Sequence, residues 1–233
     1  MKIKNIQPVT LIDYPEKIAC TIFLFGCNLR CGFCHNPGLV IKEDAPDMPP
    51  EKVLEFLKKR RKYLDGVCFT GGEPLMSLDL GFLRELKASG YLIKIDTNGC
   101  FPEKLRHIIE LELVDFVSMD IKSSTAKYSE ITNSNPNIEK IQDSIELVSK
   151  LENYEFRTTI LEGIHAEDEM KKIAEWLNRI AGKKPKKFCL QGFKVQGEIM
   201  DAQFKNYPDT SEEYLNKLKE SIKDYFEEIE VRV

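Results

Sequence analysis

The sequence predicts an α/β fold: an open, curved parallel sheet of six βα units, a partial (βα)6 barrel. Three observations carry that reading. Short β-branched runs alternate with longer stretches of helical spacing along the whole chain. The units are too few to close an eight-fold barrel of ordinary size. Polar clusters follow the successive strands at the same end, where parallel α/β folds gather ligands.

The strands are expected at Ile18–Phe25, Val67–Thr70, Leu92–Asp96, Val114–Asp120, Glu155–Ile160, Lys187–Gln191 and Ile229–Val233. Between them, Met170, Ile173, Ala174, Leu177, Ile180 and Ala181 form one apolar stripe, with Gly182 placed to end the helix. Ile138, Ile141, Ile145 and Val148 make a second stripe. Leu215, Leu218, Ile222 and Tyr225 make a third, preceded by a Thr210/Glu213 capping-box pattern. Pro50 and Pro102 stand where first helical turns begin.

The chain has 233 residues, 42% of them hydrophobic and 31% charged, which suits a soluble globular protein and excludes general disorder. One domain over 1–233 is expected, with residues 1–17 as an N-terminal extension packed on it. Lys+Arg 34 against Asp+Glu 38 leaves a net charge of −4, without the basic excess that binds nucleic acid non-specifically. The longest apolar run, Ile18–Phe25, is far short of the about 20 residues that span a bilayer. The first residues lack a secretion pattern, so a cytoplasmic location is expected, with no membrane and no nucleic-acid partner.

Seven cysteines are odd in number and unlike a disulfide framework. Three of them, Cys27, Cys31 and Cys34, crowd into the loop after the first strand, within a long connection from Gly26 to Pro49. Structural zinc takes four protein ligands, and the nearby fourth, His35, is adjacent to Cys34, an awkward placement for one ion. A complete iron–sulfur cluster also normally takes four cysteines, so three imply one iron left open. Core packing is the poorest reading, because Gly, Asn and Arg lie between the thiols. Cys20, Cys68, Cys100 and Cys189 lie singly in or beside strands and read as buried apolar residues.

Gly71-Gly72-Glu73-Pro74 follows the second strand. A double glycine there makes either a simple turn or a close backbone approach to a small molecule. Asp96 and Asp120 end the third and fourth strands and could be turn formers, and Lys122 could be solvated. Around one cavity, these groups would instead suit ribose hydroxyls, a cation and a carboxylate.

These residues, in this order, resemble the radical S-adenosylmethionine superfamily, whose C-x3-C-x2-C loop is matched by Cys27, Cys31 and Cys34 and whose GGE segment is matched by Gly71, Gly72 and Glu73. G-C-N-L-R-C-G-F-C-H-N-P, T-G-G-E-P, D-T-N-G and D-I-K further resemble the glycyl-radical-enzyme activating proteins. Leu11-Ile12-Asp13-Tyr14-Pro15 is similar to the subgroup labelled anaerobic ribonucleoside-triphosphate reductase activating protein.

The resemblance implies a single radical-SAM core domain with an open TIM-type (βα)6 barrel. It implies one [4Fe-4S] cluster on Cys27, Cys31 and Cys34, with S-adenosylmethionine on the fourth iron. One electron would cleave the cofactor to methionine and a 5′-deoxyadenosyl radical, which would take a hydrogen from a glycine Cα of a partner glycyl radical enzyme. Reduced flavodoxin or ferredoxin would donate the electron. By the same resemblance Gly71 and Gly72 meet the cofactor's amino group, Asp96 a ribose or cation, Asp120 a monovalent cation, and Lys122 the carboxylate. Phe33 lies beside the adenine, and Cys34 and His35 border the cofactor.

A histidine found near the sixth strand in some activating proteins is missing, and Gln191 is a candidate in its place. Arg157 could face the cofactor or merely be a half-exposed strand residue. His107 and His165 read as structural or solvated. Lys183-Lys184 and Lys186-Lys187 read as solvated faces that could dock an acidic electron donor. Two other readings stand beside this one: a radical enzyme acting on a small molecule, like 7-carboxy-7-deazaguanine synthase, and a non-catalytic iron–sulfur module.

Overall fold

Local hydrophobic pattern places most strands where it predicts them, and pairing is parallel among the strands Ala19–Leu24, Gly66–Gly71 and Leu92–Thr97 and among Tyr154–Ile160, Lys187–Gly192 and Glu228–Arg232. The computed structural model describes residues 1–41 and 46–233. It divides into two units, the first comprising Met1–Cys27, Asn36–Thr97 and Glu103–Val117, the second Asn28–His35, Asn98–Pro102 and Ser118–Val233.

The first unit carries β1 (Ile3–Thr10), β2 (Ala19–Leu24), α1 (Pro37–Val40), α2 (Pro50–Arg60), β3 (Gly66–Gly71), α3 (Leu80–Ala88), β4 (Leu92–Thr97) and most of α4 (Pro102–Glu110). β1 runs antiparallel to β2, with Ile3 opposite Leu24 and Thr10 opposite Ala19. Residues expected as a packed extension are thus a sheet strand. Their polar sequence, with Pro8 in its run, gave no strand signal, as suits an edge. Ile22, Leu24, Val67, Phe69, Ile93 and Ile95 are fully buried, as are Val53 of α2 and Leu83 of α3, and Phe69 packs edge-on against Phe82 of α3 at 6.2 Å. Each such side chain contributes roughly 1.5–3 kcal/mol by leaving water.

β5 (Phe116–Asp120) contributes residues to both units. It begins two residues later than expected, because Asp115 accepts hydrogen bonds from the Ile93 N–H at 2.7 Å and from Lys87 Nζ at 2.7 Å. The second unit continues with α5 (Tyr128–Thr132), α6 (Ile138–Ser149), β6 (Tyr154–Ile160), α7 (Glu167–Ala181), β7 (Lys187–Gly192), α8 (Glu212–Ile222) and β8 (Glu228–Arg232). α7 buries Met170, Ile173, Ala174, Trp176 and Leu177, and Gly182 caps it in the left-handed conformation at φ 66°. Within each unit, strand order in space follows order in the chain.

Three details differ from expectation. α8 is capped by Ser211, whose hydroxyl accepts from the Tyr214 N–H at 3.2 Å, and not by Thr210. Thr210 is buried, and its hydroxyl donates to the Ile160 carbonyl at 2.6 Å while accepting from the Phe193 N–H at 3.3 Å. The segment from Gly26 to Pro49 holds the helical turn α1 and a bridge from Met48 to Ile3, while residues 42–45 lie outside the described residues. Lys187 is no solvated lysine: it pairs with Glu230 at 2.6 Å and Glu228 at 3.5 Å.

Candidate active site

In the first unit, the end of β3 is welded to the end of β2. The Gly72 N–H donates to the Leu24 carbonyl at 3.0 Å, and the Glu73 N–H donates to the Gly26 carbonyl at 2.7 Å. A Cβ on Gly72 would lie 2.1 Å from the Gly26 oxygen, and one on Gly71 would lie 2.4 Å from the Leu24 oxygen. Both glycines are therefore demanded by backbone approach inside the protein, whatever small molecule they also meet. Glu73 is fully buried, and its Oε1 accepts from the Leu75 N–H at 3.0 Å and from Thr97 Oγ1 at 2.9 Å. That carboxylate ties the turn after β3 to the end of β4, while the Glu73 backbone N–H holds Gly26, a structural role for the last letter of the GGE motif.

Asp96 ends the same β4. It forms an ion pair with Lys94, two residues back on the same face, and accepts a long contact from Cys68 Sγ at 3.8 Å. Lys94 is 2% exposed, a buried cation that sequence reading overlooked because a lysine inside a strand ordinarily faces water.

In the second unit, the loop from Asn28 to His35 is pinned on several sides. The Arg30 N–H donates to the Thr132 carbonyl at 3.0 Å and to Ser134 Oγ at 3.0 Å. The Cys34 N–H closes a turn on the Cys31 carbonyl at 3.1 Å. The Met200 and Asp201 N–H groups donate to the carbonyls of Cys34 and Gly32 at 3.0 and 2.9 Å. Phe33 is buried edge-on against Phe204 at 6.1 Å, and both rings line a cavity of about 450 Å³ shared with Lys127, Glu130 and Tyr207. His35 stacks on Phe193 at 5.1 Å, and its Nε2 donates to the Lys194 carbonyl at 2.7 Å. Through this stack and bond its ring helps to hold the loop.

Asp120 and Lys122, at and beyond the end of β5, are joined by a third group. Asp120 Oδ1 accepts from Arg157 Nε at 2.7 Å, and Oδ2 accepts from Lys122 Nζ at 3.0 Å. Burial alone would raise the Asp120 pKa, but the charges of Arg157 and Lys122 outweigh it and hold the carboxyl well below its usual range. Burial likewise opposes the Lys122 charge, and Asp120 and the Cys31 sulfur outweigh it, so the ammonium is held above its ordinary pKa. Both Asp120 oxygens thus accept from cationic side chains, each with a further lone pair in hand. Gln191 donates to the Arg232 carbonyl at 3.4 Å, His107 is exposed, and His165 is buried with both ring nitrogens bonded.

None of the seven cysteines is in a disulfide. Cys20, Cys68, Cys100 and Cys189 are buried, and burial pushes the thiols of Cys20 and Cys189 up to about 12, far from thiolate chemistry at neutral pH. Among the described residues, no three His, Cys, Asp or Glu side chains are gathered as a single metal ion requires. The donor chemistry of Cys27, Cys31 and Cys34, three thiols, fits a thiolate-bound cluster, and in the second unit the Lys122 charge lies near Cys31. No helix is long and apolar enough to cross a membrane.

Residues 21–177 match the Radical SAM superfamily, a span that includes the three loop cysteines, Gly71, Gly72, Asp96, Asp120 and Lys122. The chain is 30% identical over 240 residues, 99% of its own length and 95% of the other's, to MJ1227 of Methanocaldococcus jannaschii, provisionally named a glycyl-radical enzyme activating enzyme. It is 33% identical over 131 residues, 52% of each chain, to the pyruvate formate-lyase-activating enzyme of Clostridium pasteurianum. The crystal structure of a domain of the pyruvate-formate lyase-activating enzyme from Bacteroides vulgatus superposes with TM-score 0.57 at 21% identity, covering 72% of this chain and 99% of that one. The fold is thus an α/β radical SAM fold with parallel strands and no closed barrel. The chain belongs to the radical SAM superfamily, among the glycyl-radical enzyme activating proteins. That family uses a [4Fe-4S] cluster and S-adenosylmethionine.

Proposed function

We propose that this protein is a cytoplasmic activating enzyme that installs a glycyl radical on a partner enzyme such as anaerobic ribonucleotide reductase, working as one radical-SAM core domain. The observation that carries the reading is the near full-length relationship to a protein named for glycyl-radical activation, with the three-cysteine loop inside the matched span. When bound, a [4Fe-4S] cluster and S-adenosylmethionine supply a one-electron reductive cleavage that ends in loss of a hydrogen atom from a glycine Cα.

The chain's own residues bind and orient. Cys27, Cys31 and Cys34 would hold the cluster, with His35 on Phe193 and Phe33 on Phe204 keeping their loop in place. Lys122 would present a fixed positive charge to the cofactor's carboxylate, its ammonium kept charged by Asp120. Gly71 and Gly72 would offer backbone groups to the cofactor's amino end, and Asp96 a carboxylate to its ribose. Reduced flavodoxin or ferredoxin would supply the electron, with neither nucleic acid nor membrane as partner.

The test is anaerobic reconstitution with iron and sulfide, followed by reduction and assay for 5′-deoxyadenosine with and without anaerobic ribonucleotide reductase. The expected result is cofactor cleavage together with a glycyl radical signal in electron paramagnetic resonance of that partner. Cleavage without any protein radical on glycyl radical enzymes would overturn the activating role and favour a small-molecule substrate.

A further inference from the structure

The backbone that carries Lys122 lies just past the end of β5, where the sheet ladder no longer pairs it. Its neighbour Ile121 is still tied in, donating N–H to the Arg157 carbonyl at 2.8 Å and accepting from Thr158 Oγ1 at 2.7 Å. At Lys122 both backbone groups go to side chains. The N–H donates to the Tyr128 hydroxyl at 3.3 Å, and the carbonyl accepts from His165 Nε2 at 3.0 Å. His165 is fully buried, and its Nδ1 accepts from the Leu161 N–H at 3.1 Å. Those two bonds dictate one neutral tautomer, with the proton on Nε2. Buried Glu169 secures the next two residues, accepting from Ser123 Oγ and from the Ser124 N–H, each at 2.7 Å.

Rotating the backbone about Lys122 would break both bonds, to the Tyr128 hydroxyl through the peptide before it and to His165 through the peptide after it, in a part-buried setting where replacement partners are few. We propose that His165 is a positioning residue for cofactor binding: its Nε2–H fixes the Lys122 carbonyl and so aims the Lys122 ammonium at the carboxylate of S-adenosylmethionine. This rests on the functional reading above. His165 lies 43 positions from Lys122 and belongs to no motif.

Two variants separate this role from simple support of the Leu161 turn. In His165→Asn the amide oxygen replaces Nδ1 and keeps the Leu161 bond, while nothing reaches Lys122. In His165→Gln the amide nitrogen replaces Nε2 and keeps the Lys122 bond. On cluster-loaded protein, equilibrium dialysis should show S-adenosylmethionine bound about tenfold more weakly by His165→Asn, the loss of one part-buried hydrogen bond, and within about twofold of wild type by His165→Gln. Nitrogen-15 histidine spectra of the oxidised wild type should show Nε2 protonated and Nδ1 bare. Equal losses in the two variants, no loss in either, or an Nδ1–H tautomer would each overturn the proposal. Wild-type protein that binds no S-adenosylmethionine sinks the functional reading instead, while the tautomer spectrum still reports on the bond to Lys122.

Discussion

Asp120 and Arg157 meet at 2.7 Å, side chains 37 positions apart in the chain, and the same carboxylate holds Lys122 through its other oxygen at 3.0 Å. The arrangement keeps a carboxylate ionised and an ammonium charged in a place where burial disfavours both. Removing one member leaves the others mismatched. Arg157→Met is expected to destabilise the protein by roughly 2–3 kcal/mol, below the range for fully buried pairs because these side chains are about one-fifth exposed. Urea denaturation measures this, and an unchanged midpoint would show that the pair is only a surface contact.

Lys122→Ala should weaken S-adenosylmethionine binding while leaving the cluster's visible absorption intact. Cys31→Ala should abolish both the absorption and cofactor cleavage. Cys189→Ala, which removes a fully buried thiol outside the loop, should keep the absorption and cost about 1 kcal/mol of stability. The three together, read by absorbance and equilibrium dialysis, separate metal ligand from cofactor contact from core packing.

Gly72→Ala should fail to fold or lose more than about 3 kcal/mol, since its methyl group would sit 2.1 Å from a backbone oxygen that has little room to retreat. Gly38→Ala, in α1 with nothing within 4 Å of the added carbon, should be neutral or slightly stabilising. Thermal melting of the two variants distinguishes crowding from the general effect of replacing glycine.

The two residues before α8 should behave differently from what their capping pattern implies. Ser211→Ala is expected to cost about 1 kcal/mol through loss of the cap. Thr210→Val should cost about 1–2 kcal/mol, because the buried Ile160 carbonyl and Phe193 N–H each lose one bond and keep only the 3.0 Å bond to each other. A larger loss for Ser211→Ala would contradict this assignment.

Stability should fall in acid. Hydrogen bonds from Arg232, against the opposing effect of burial and with help from Lys187, hold Glu230 at about 2, and Asp120 is held low by Arg157 and Lys122. A carboxylate depressed in the folded state stabilises it fully above the unfolded pKa of about 4, and that contribution drains away as pH falls toward the folded value. Urea midpoints measured between neutral pH and about pH 3 should therefore decline, most steeply below about pH 4.5. In Glu230→Gln that decline should be shallower.

Much of the fold was legible in the sequence because its signals are local. The stripe from Met170 to Ala181 needs only its own 3.6-residue period to define α7, and Gly182 ends it by the same short-range logic. β1 was missed because an edge strand exposed to water needs no alternating apolar face, and α5, five residues long, has too few positions to show a period. The start of α8 was misread because Thr210 and Ser211 are equivalent as caps on paper, and only the nearness of Ile160 and Phe193 draws Thr210 inward.

By itself the sequence determined the chemistry on offer: three close-set thiols, one short of the four that normally complete a cluster, with a double glycine, two aspartates and a lysine at strand ends. Those signals survive in one dimension because each is a short motif or a residue at the end of a periodic run. Tertiary structure alone decided what holds them: Glu73 bracing Thr97, Arg157 on Asp120, His35 on Phe193, and His165 on the Lys122 carbonyl. Burial is the physical reason. Once water is excluded, every polar group at the strand ends must find a partner within about 3 Å, and folding supplies those partners from segments tens of residues away, where no spacing rule could have announced them.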